Sequence, residues 1–196
     1  MRRVLLVATT NAGKLREIRD VLTGVDLDLR SLADVAPIDE PEEHGATFAE
    51  NARAKALYYA EATGLPAVAD DSGLEVDAIG GAPGVQSARF PGETYPEKFA
   101  TLFRMLDERG VETSAARFVC ALALADAGRV VFEARGVVEG RITREPRGSG
   151  GFGYDPIFYY PPFDKTLAEV SAADKTRVSH RGTAFARLRA FLAATT

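Results

Sequence analysis

The pattern of apolar and polar positions opens as strand, helix, strand. Val4–Ala8 is a short apolar run with branched side chains, read as a strand buried on both faces. "TTNAGK" follows as a loop, and Leu15, Ile18 and Leu22 then recur at helical spacing. From Val25 to Leu32 apolar and polar residues alternate, the mark of a half-buried strand. This β-α-β opening predicts an α/β fold with parallel pairing. A polar connection leads to "TFAE", where Thr47 can accept from the amide of Glu50 while Glu50 reaches back, a capping box. The helix it starts stops at Gly64, and "LPAVA" is a further strand with Asp70 and Asp71 at its C-terminal end. Beyond a Gly/Pro-rich loop, "YPEKFATLFRMLDERG" predicts a helix with Phe99, Phe103 and Leu106 facing inward. "ARFVCALALADAGRVVFEARGVVEGRIT" predicts two long strands turning at "ADAG". "IFYYPPF" is a short extended piece, and "TAFARLRAFLAA" a closing amphipathic helix.

Length and composition narrow the classes. The chain has 196 residues, 46% of them hydrophobic, without repeats or long linkers, which predicts one domain over residues 1–196 and leaves room for two lobes. Its formal net charge of −4 argues against a dedicated nucleic-acid binder but allows a small anion held by local basic groups. The single cysteine, Cys120, lies in an apolar strand and reads as a buried, inert thiol, so a reducing compartment fits. The apolar run after "MRR" is shorter than the roughly 7–15 residues of a signal peptide core, and nothing approaches the ~18 of a membrane span. A cytoplasmic protein without membrane contact is the expectation.

Five stretches carry candidate chemistry, each with a plainer reading beside it. In "TTNAGK" a helix start between small residues favours an anion, with Asn11 and Lys14 as further donors; the alternative is an ordinary helix cap. In "EEHGATFAENARAK", Asn51 and Lys55 share a helix face, and Lys55 can reach a phosphate; the alternative is a solvated face after an acidic loop. In "ADDSG", Asp71 with Glu42 would make an oxygen-rich site suited to Mg²⁺, whereas Asp70 and Asp71 could equally form an Asx-type turn with Ser72 and Gly73. Alternation along a strand would set Asp70 on the opposite side from Asp71. "GSGGFGYDPIF" lets an aromatic ring project from a close-running backbone, or is a surface loop. "KTRVSHRG" concentrates donors, or is a solvated basic segment with Ser179 as a cap.

In this order, "TTNAGK", "E-x-G-x-TF-x-ENA", "ADDSGLEVDAIGGAPGVQSAR", "GGFGYDPIF" and "SHRG" resemble the inosine triphosphate pyrophosphatase family over roughly residues 4–190. The resemblance implies a long mixed sheet flanked by helices, two lobes with a substrate cleft between them, and a homodimer. It implies Mg²⁺-dependent hydrolysis of dITP, ITP and XTP to the monophosphate and pyrophosphate. Thr9, Thr10, Asn11 and Lys14 would cradle the triphosphate, with Lys55 nearby; Asp71 and Glu42, chosen over the adjacent Glu43 by its distance from "GATF", would hold the metal, and Asp71 would accept the proton. Ser72 would touch the substrate. Phe152, Gly153, Tyr154 and Asp155 would hold base and sugar, with Phe152 stacked on the purine. Lys175, His180 and Arg181 would contact the base edge, Arg181 as a donor to the oxygen at the purine six-position. Thr10 stands where many relatives have glycine, so a negative φ is expected there. Pyrophosphatases of other modified nucleotides and nucleotide sensors without turnover are the competing readings.

Overall fold

The computed structural model describes residues 3–195. Seven strands join in one mixed sheet: β1 (Arg3–Val7), β2 (Leu27–Ser31), β3 (Ala67–Val76), β4 (Ala115–Asp126), β5 (Arg129–Ile142), β6 (Phe158–Tyr160) and β7 (Lys165–Thr166), in the order β2-β1-β3-β4-β5-β6-β7. β1 pairs parallel with β2 and β3, while β6 pairs antiparallel with β5 and β7. Five α-helices accompany it: α1 (Ala12–Leu22), α2 (Phe48–Thr63), α3 (Tyr95–Glu108), α4 (Ala172–Val178) and α5 (His180–Ala194). The predicted α/β class and its parallel β-α-β opening are therefore present. The chain divides into two compact units, one of residues 1–71, 120–136 and 180–196, the other of residues 72–119 and 137–179.

The first unit packs α1 and α5 on the sheet through Ile18, Leu22, Phe185 and Leu188, against Leu5, Val7, Val68 and Leu122. Cys120 is buried in the same cluster, and burial pushes its thiol up, which makes it the inert side chain expected. β4 and β5 turn at Ala127 and Gly128, both with positive φ, the two-residue turn whose twist matches paired strands. Gly136 is required on β5, because a Cβ there would meet the carbonyl oxygen of His180 at 2.0 Å. The start of α5 is thereby pressed onto the strand.

The second unit is built on Leu74, Val76, Phe99, Leu102, Leu106, Phe118 and Phe158. On α3 the inward positions are Phe99, Leu102 and Leu106, while Phe103 is only partly buried, with the guanidinium of Arg144 5.3 Å from its ring centre. Spacings of three and seven keep one stripe, and Phe103 falls at its rim.

The largest departure from the sequence reading concerns β3. It does not end at Asp70 and Asp71 but runs on to Val76, so both acids lie mid-strand and the Asx-turn alternative does not occur. Leu74 and Val76 resume the buried alternation after a polar interval that masked it. Gly73 permits this, since a Cβ there would meet Ser87 Oγ at 2.3 Å and Gly84 O at 2.5 Å. Ser87 Oγ accepts from Leu74 N at 2.9 Å and donates to Gly84 O at 2.6 Å, clamping the Gly/Pro-rich loop onto the strand. α5 also begins earlier than predicted, so that "HRG" forms its first turn.

α2 is capped as the sequence predicts: Thr47 Oγ1 accepts from Glu50 N at 3.2 Å, and Glu50 Oε2 accepts from Thr47 N at 3.1 Å. Gly64 closes it in the left-handed conformation. Thr47→Ala is expected to cost about 1 kcal/mol of stability, read as a lower midpoint of urea unfolding with an unchanged slope.

Candidate active site

In the first unit, β1 and β3 set the site. Their parallel register pairs Leu6 with Ala67 and Val7 with Val68, so the loop leaving β1 emerges beside Asp70 and Asp71. Thr9 Oγ1 accepts from Asn11 N at 3.2 Å, and Asn11 Oδ1 accepts from Lys14 N at 3.0 Å as the cap of α1. Among the described residues only Ala127 and Asp164 are non-glycine residues with positive φ, so Thr10 holds the negative φ expected of it. The amides of Ala12 and Gly13 start the helix without intrahelical acceptors, an arrangement that favours an anion.

The two aspartates point to opposite faces of β3. Asp71 Oδ2 accepts from Asn51 Nδ2 at 2.9 Å, and its Oδ1 lies 3.7 Å from the Lys55 ammonium. One turn of α2 separates Asn51 and Lys55, so the helix presents both to Asp71. Asn51 is fixed in turn, because its Oδ1 accepts from Gly45 N at 2.7 Å. Burial raises the Asp71 pKa, and Glu43 adds to this, against the opposing pull of Lys55 and Asn51. Burial would lower Lys55, but Asp71, Asp70 and Glu43 hold it above its ordinary value.

On the other face, Asp70 Oδ2 lies 3.1 Å from Lys14 Nζ and 3.4 Å from Arg181 Nη2. Burial would raise its pKa, yet the charges of Lys14, Arg181 and Lys55 hold it far below the usual carboxylate range. Adjacent acids on one strand are thus driven in opposite directions.

The second unit holds an aromatic cluster. Gly151 at φ +67° turns the backbone so that Phe152 N donates to Asp155 Oδ2 at 2.7 Å. Lys175 Nζ from α4 is 2.6 Å from the same oxygen, and 4.7 Å from the ring centre of Phe152. A Cβ on Gly151 would sit 2.1 Å from Asp155 Oδ2 and break the cluster. Tyr154 is buried, donates its hydroxyl to Ser87 O at 3.0 Å, and meets the Tyr95 ring edge-on at 5.4 Å. Gly153 has φ +69°, which lets the chain pass between the two aromatic residues. Ser72 follows Asp71 on β3 at the start of this unit.

A model of the Ham1 family matches residues 5–191. The chain belongs to the Ham1 family. The dITP/XTP pyrophosphatase of Thermus thermophilus is 50% identical to it over 193 residues, 97% of this chain and 90% of that protein. The enzyme of the same name from Desulfotalea psychrophila is 45% identical over 188 residues, 95% of this chain and 84% of that protein. The structure of a HAM1 protein from Coxiella burnetii superposes with a TM-score of 0.90 at 38% identity, covering 98% of this chain and 99% of that one. The seven-stranded mixed sheet is therefore a Ham1 fold, in agreement with the resemblance of the motifs.

Three of the expected site residues in this Ham1 chain have partners within the chain itself. Glu42 does not face Asp71: its side chain is 83% exposed and pairs with His44, Oε2 to Nε2 at 2.9 Å. Glu43, at 17%, instead reaches Lys55 Nζ at 2.5 Å. Neighbouring residues of an extended loop point opposite ways, so a one-residue displacement decides which acid turns inward. Arg181 is fully buried, with Nη2 3.4 Å from Asp70 Oδ2 and Nη1 donating to Glu17 Oε2 at 2.5 Å. Lys175 pairs with Asp155 and lies over the Phe152 ring. His180 is buried on the first turn of α5, with its carbonyl against β5. Asn51 and Glu17 lie outside the expected set; the four-residue spacing of Asn51 and Lys55 was the signal for the first.

The metal implied by the family is compatible with these residues. Among the described residues no three His, Cys, Asp or Glu side chains gather around one point. Glu43 and Asp71 do converge on one ammonium, and two carboxylates completed by water and phosphate oxygens suit Mg²⁺.

The raised Asp71 pKa has a consequence for stability. A carboxyl with a higher pKa folded than unfolded loses stabilisation as pH rises through its folded value, so at pH 7 its charge opposes folding. Asp71→Asn removes that charge and can keep the Asn51 bond through its amide oxygen. It is expected to raise the thermal midpoint at pH 7 without magnesium, measured by calorimetry, with the gain shrinking as pH falls into the carboxylate range.

Proposed function

We propose that this chain hydrolyses dITP, ITP and XTP to the nucleoside monophosphate and pyrophosphate. The observation that carries the reading is Asp71, a buried carboxylate with a raised pKa, fixed by Asn51 and Lys55 beside the anion-favouring start of α1. Relatives of 45–50% identity that bear the name dITP/XTP pyrophosphatase support it. Thr9, Thr10, Asn11, Lys14 and Lys55 would bind the triphosphate. Asp71 would take the proton as water oxygen bonds to the α-phosphorus and the α–β bridging bond breaks. A base of raised pKa is better matched to that task than an ordinary aspartate. Mg²⁺, held by Glu43 and Asp71, would supply neutralising charge for the leaving pyrophosphate. Ser72 would touch the substrate, and Phe152, Gly153, Tyr154 and Asp155 would receive base and sugar. Lys175 would act from behind the Phe152 ring. A homodimer and a cytoplasmic location belong to the same proposal. Among the described residues no helix is long and apolar enough to cross a membrane.

Assays of dITP, ITP, XTP, GTP and ATP with excess Mg²⁺, reading pyrophosphate and orthophosphate separately, test the reaction. Pyrophosphate with monophosphate from the first three is expected. Orthophosphate with diphosphate as first products would mean attack at the γ-phosphorus and overturn the mechanism. Preference for another modified nucleotide would move the substrate class, and binding without turnover would make the chain a sensor.

Two substitutions test the acids. Asp71→Asn is expected to lower kcat by about 10²–10⁴, the usual worth of a positioned base, with triphosphate binding kept. Glu43→Gln should raise the magnesium concentration needed for half the maximal rate, while Glu42→Gln leaves it unchanged.

A further inference from the structure

Asp70 has no part in that reaction, yet its side chain is 1% exposed and three donors converge on one of its oxygens. Lys14 Nζ stands at 3.1 Å, Arg181 Nη2 at 3.4 Å and Cys120 Sγ at 3.8 Å, all from Oδ2. Asp70 Oδ1 is buried and accepts no hydrogen bond among the described residues. A carboxylate so poorly served by neutral donors depends on its cations to offset burial. Arg181 continues from Asp70 to Glu17, which lies three residues after Lys14 on the same face of α1. Four charges of alternating sign, Lys14, Asp70, Arg181 and Glu17, thus tie the start of α1 to β3 and to the first turn of α5.

We propose that Asp70, braced by Arg181 and Glu17, is a positioning residue that holds the Lys14 ammonium ready for the phosphates of the substrate. The inference rests on the reading that Lys14 binds the triphosphate. A free lysine side chain loses rotamer freedom when it is fixed on a ligand. Pairing with Asp70 imposes that order before the ligand arrives, so less is lost on binding. The geometry allows both partners at once. An ammonium has three donors, and Lys14 keeps 16% of its side chain exposed where Asp70 keeps almost none. Arg181 secures Asp70 from the buried side, so the carboxylate cannot swing with Lys14 toward solvent. The same arrangement gives the arginine of "SHRG" a role at the phosphate end of the substrate, exerted through two other side chains.

A double-mutant cycle on dITP hydrolysis with excess Mg²⁺ tests this. Wild-type protein is assayed first; no pyrophosphate there would sink the proposed reaction itself, separately from the role of Asp70. Asp70→Asn is expected to raise KM about tenfold, the scale of ordering one long side chain, with kcat within about twofold. Lys14→Met should raise KM at least as much. Adding Asp70→Asn to Lys14→Met should then change nothing further, because Asp70 acts only through the missing ammonium. Multiplied effects in the double variant, an unchanged KM in Asp70→Asn, or a lowered KM showing that Asp70 holds Lys14 away from substrate, would each overturn the proposal. Should Asp70→Asn fail to fold with Arg181 left uncompensated, Glu17→Gln serves instead. It removes one acceptor from Arg181, which loosens the brace on Asp70 and through it the hold on Lys14. A smaller rise in KM that vanishes in the Lys14→Met background is expected, and a rise that persists there would count against the proposal.

Discussion

Two adjacent carboxylates on β3 sit on opposite faces because side chains alternate along a strand. Everything at the first unit's site is arranged around that constraint. Asp70 faces Lys14, Arg181 and Cys120, and Asp71 faces Asn51, Lys55 and, through Lys55, Glu43. Neither face alone would require α1, α2 and α5 to start or pass where they do; the pair requires all three. The parallel pairing of β1 with β3 completes the arrangement by bringing the loop before α1 level with both acids.

The two acids do different work because their surroundings treat charge differently. Both are buried, which opposes ionisation. Around Asp70 two cations approach the same oxygen and overcome that opposition, so its charge is permanent and structural. Around Asp71 the Lys55 ammonium is shared with Glu43, and the opposition prevails. A group that resists ionisation in the folded protein is suited to take up a proton and costs stability while it waits. The capped α2 helix holds Asn51 and Lys55 in register beside Asp71.

Much of this was legible in the sequence, and the failures have identifiable causes. The capping box at Thr47, the glycine stop at Gly64 and the hairpin at "ADAG" were readable because each depends on a few neighbouring residues. The β-α-β opening was readable because apolar spacing changes period from strand to helix. β3 was cut short because Asp70 through Gly73 are poor strand formers by themselves; contacts with Ser87, fourteen residues beyond Gly73, decide their conformation. Sequence could not separate Glu42 from Glu43 because the two differ only in which way an irregular loop turns them. The pairing of Arg181 with Glu17 and Asp70 was not legible, since no local pattern reveals partners 164 and 111 residues away in sequence.

The second unit applies the same physics to an aromatic group. Lys175 and Asp155 form a buried pair whose charges are expensive to bury, and replacing such a pair by apolar residues often stabilises a protein. Their retention makes sense for what they hold: Asp155 fixes the Phe152 amide while the Lys175 ammonium lies over its ring. The ring is thereby set from below by a cation and from its own backbone by a carboxylate, and Gly151 leaves room for both. In each unit, then, a buried ion pair fixes the direction of one group, an ammonium in one and an aromatic ring in the other. Burying charge is a poor way to stabilise a fold but an effective way to fix the direction of one side chain.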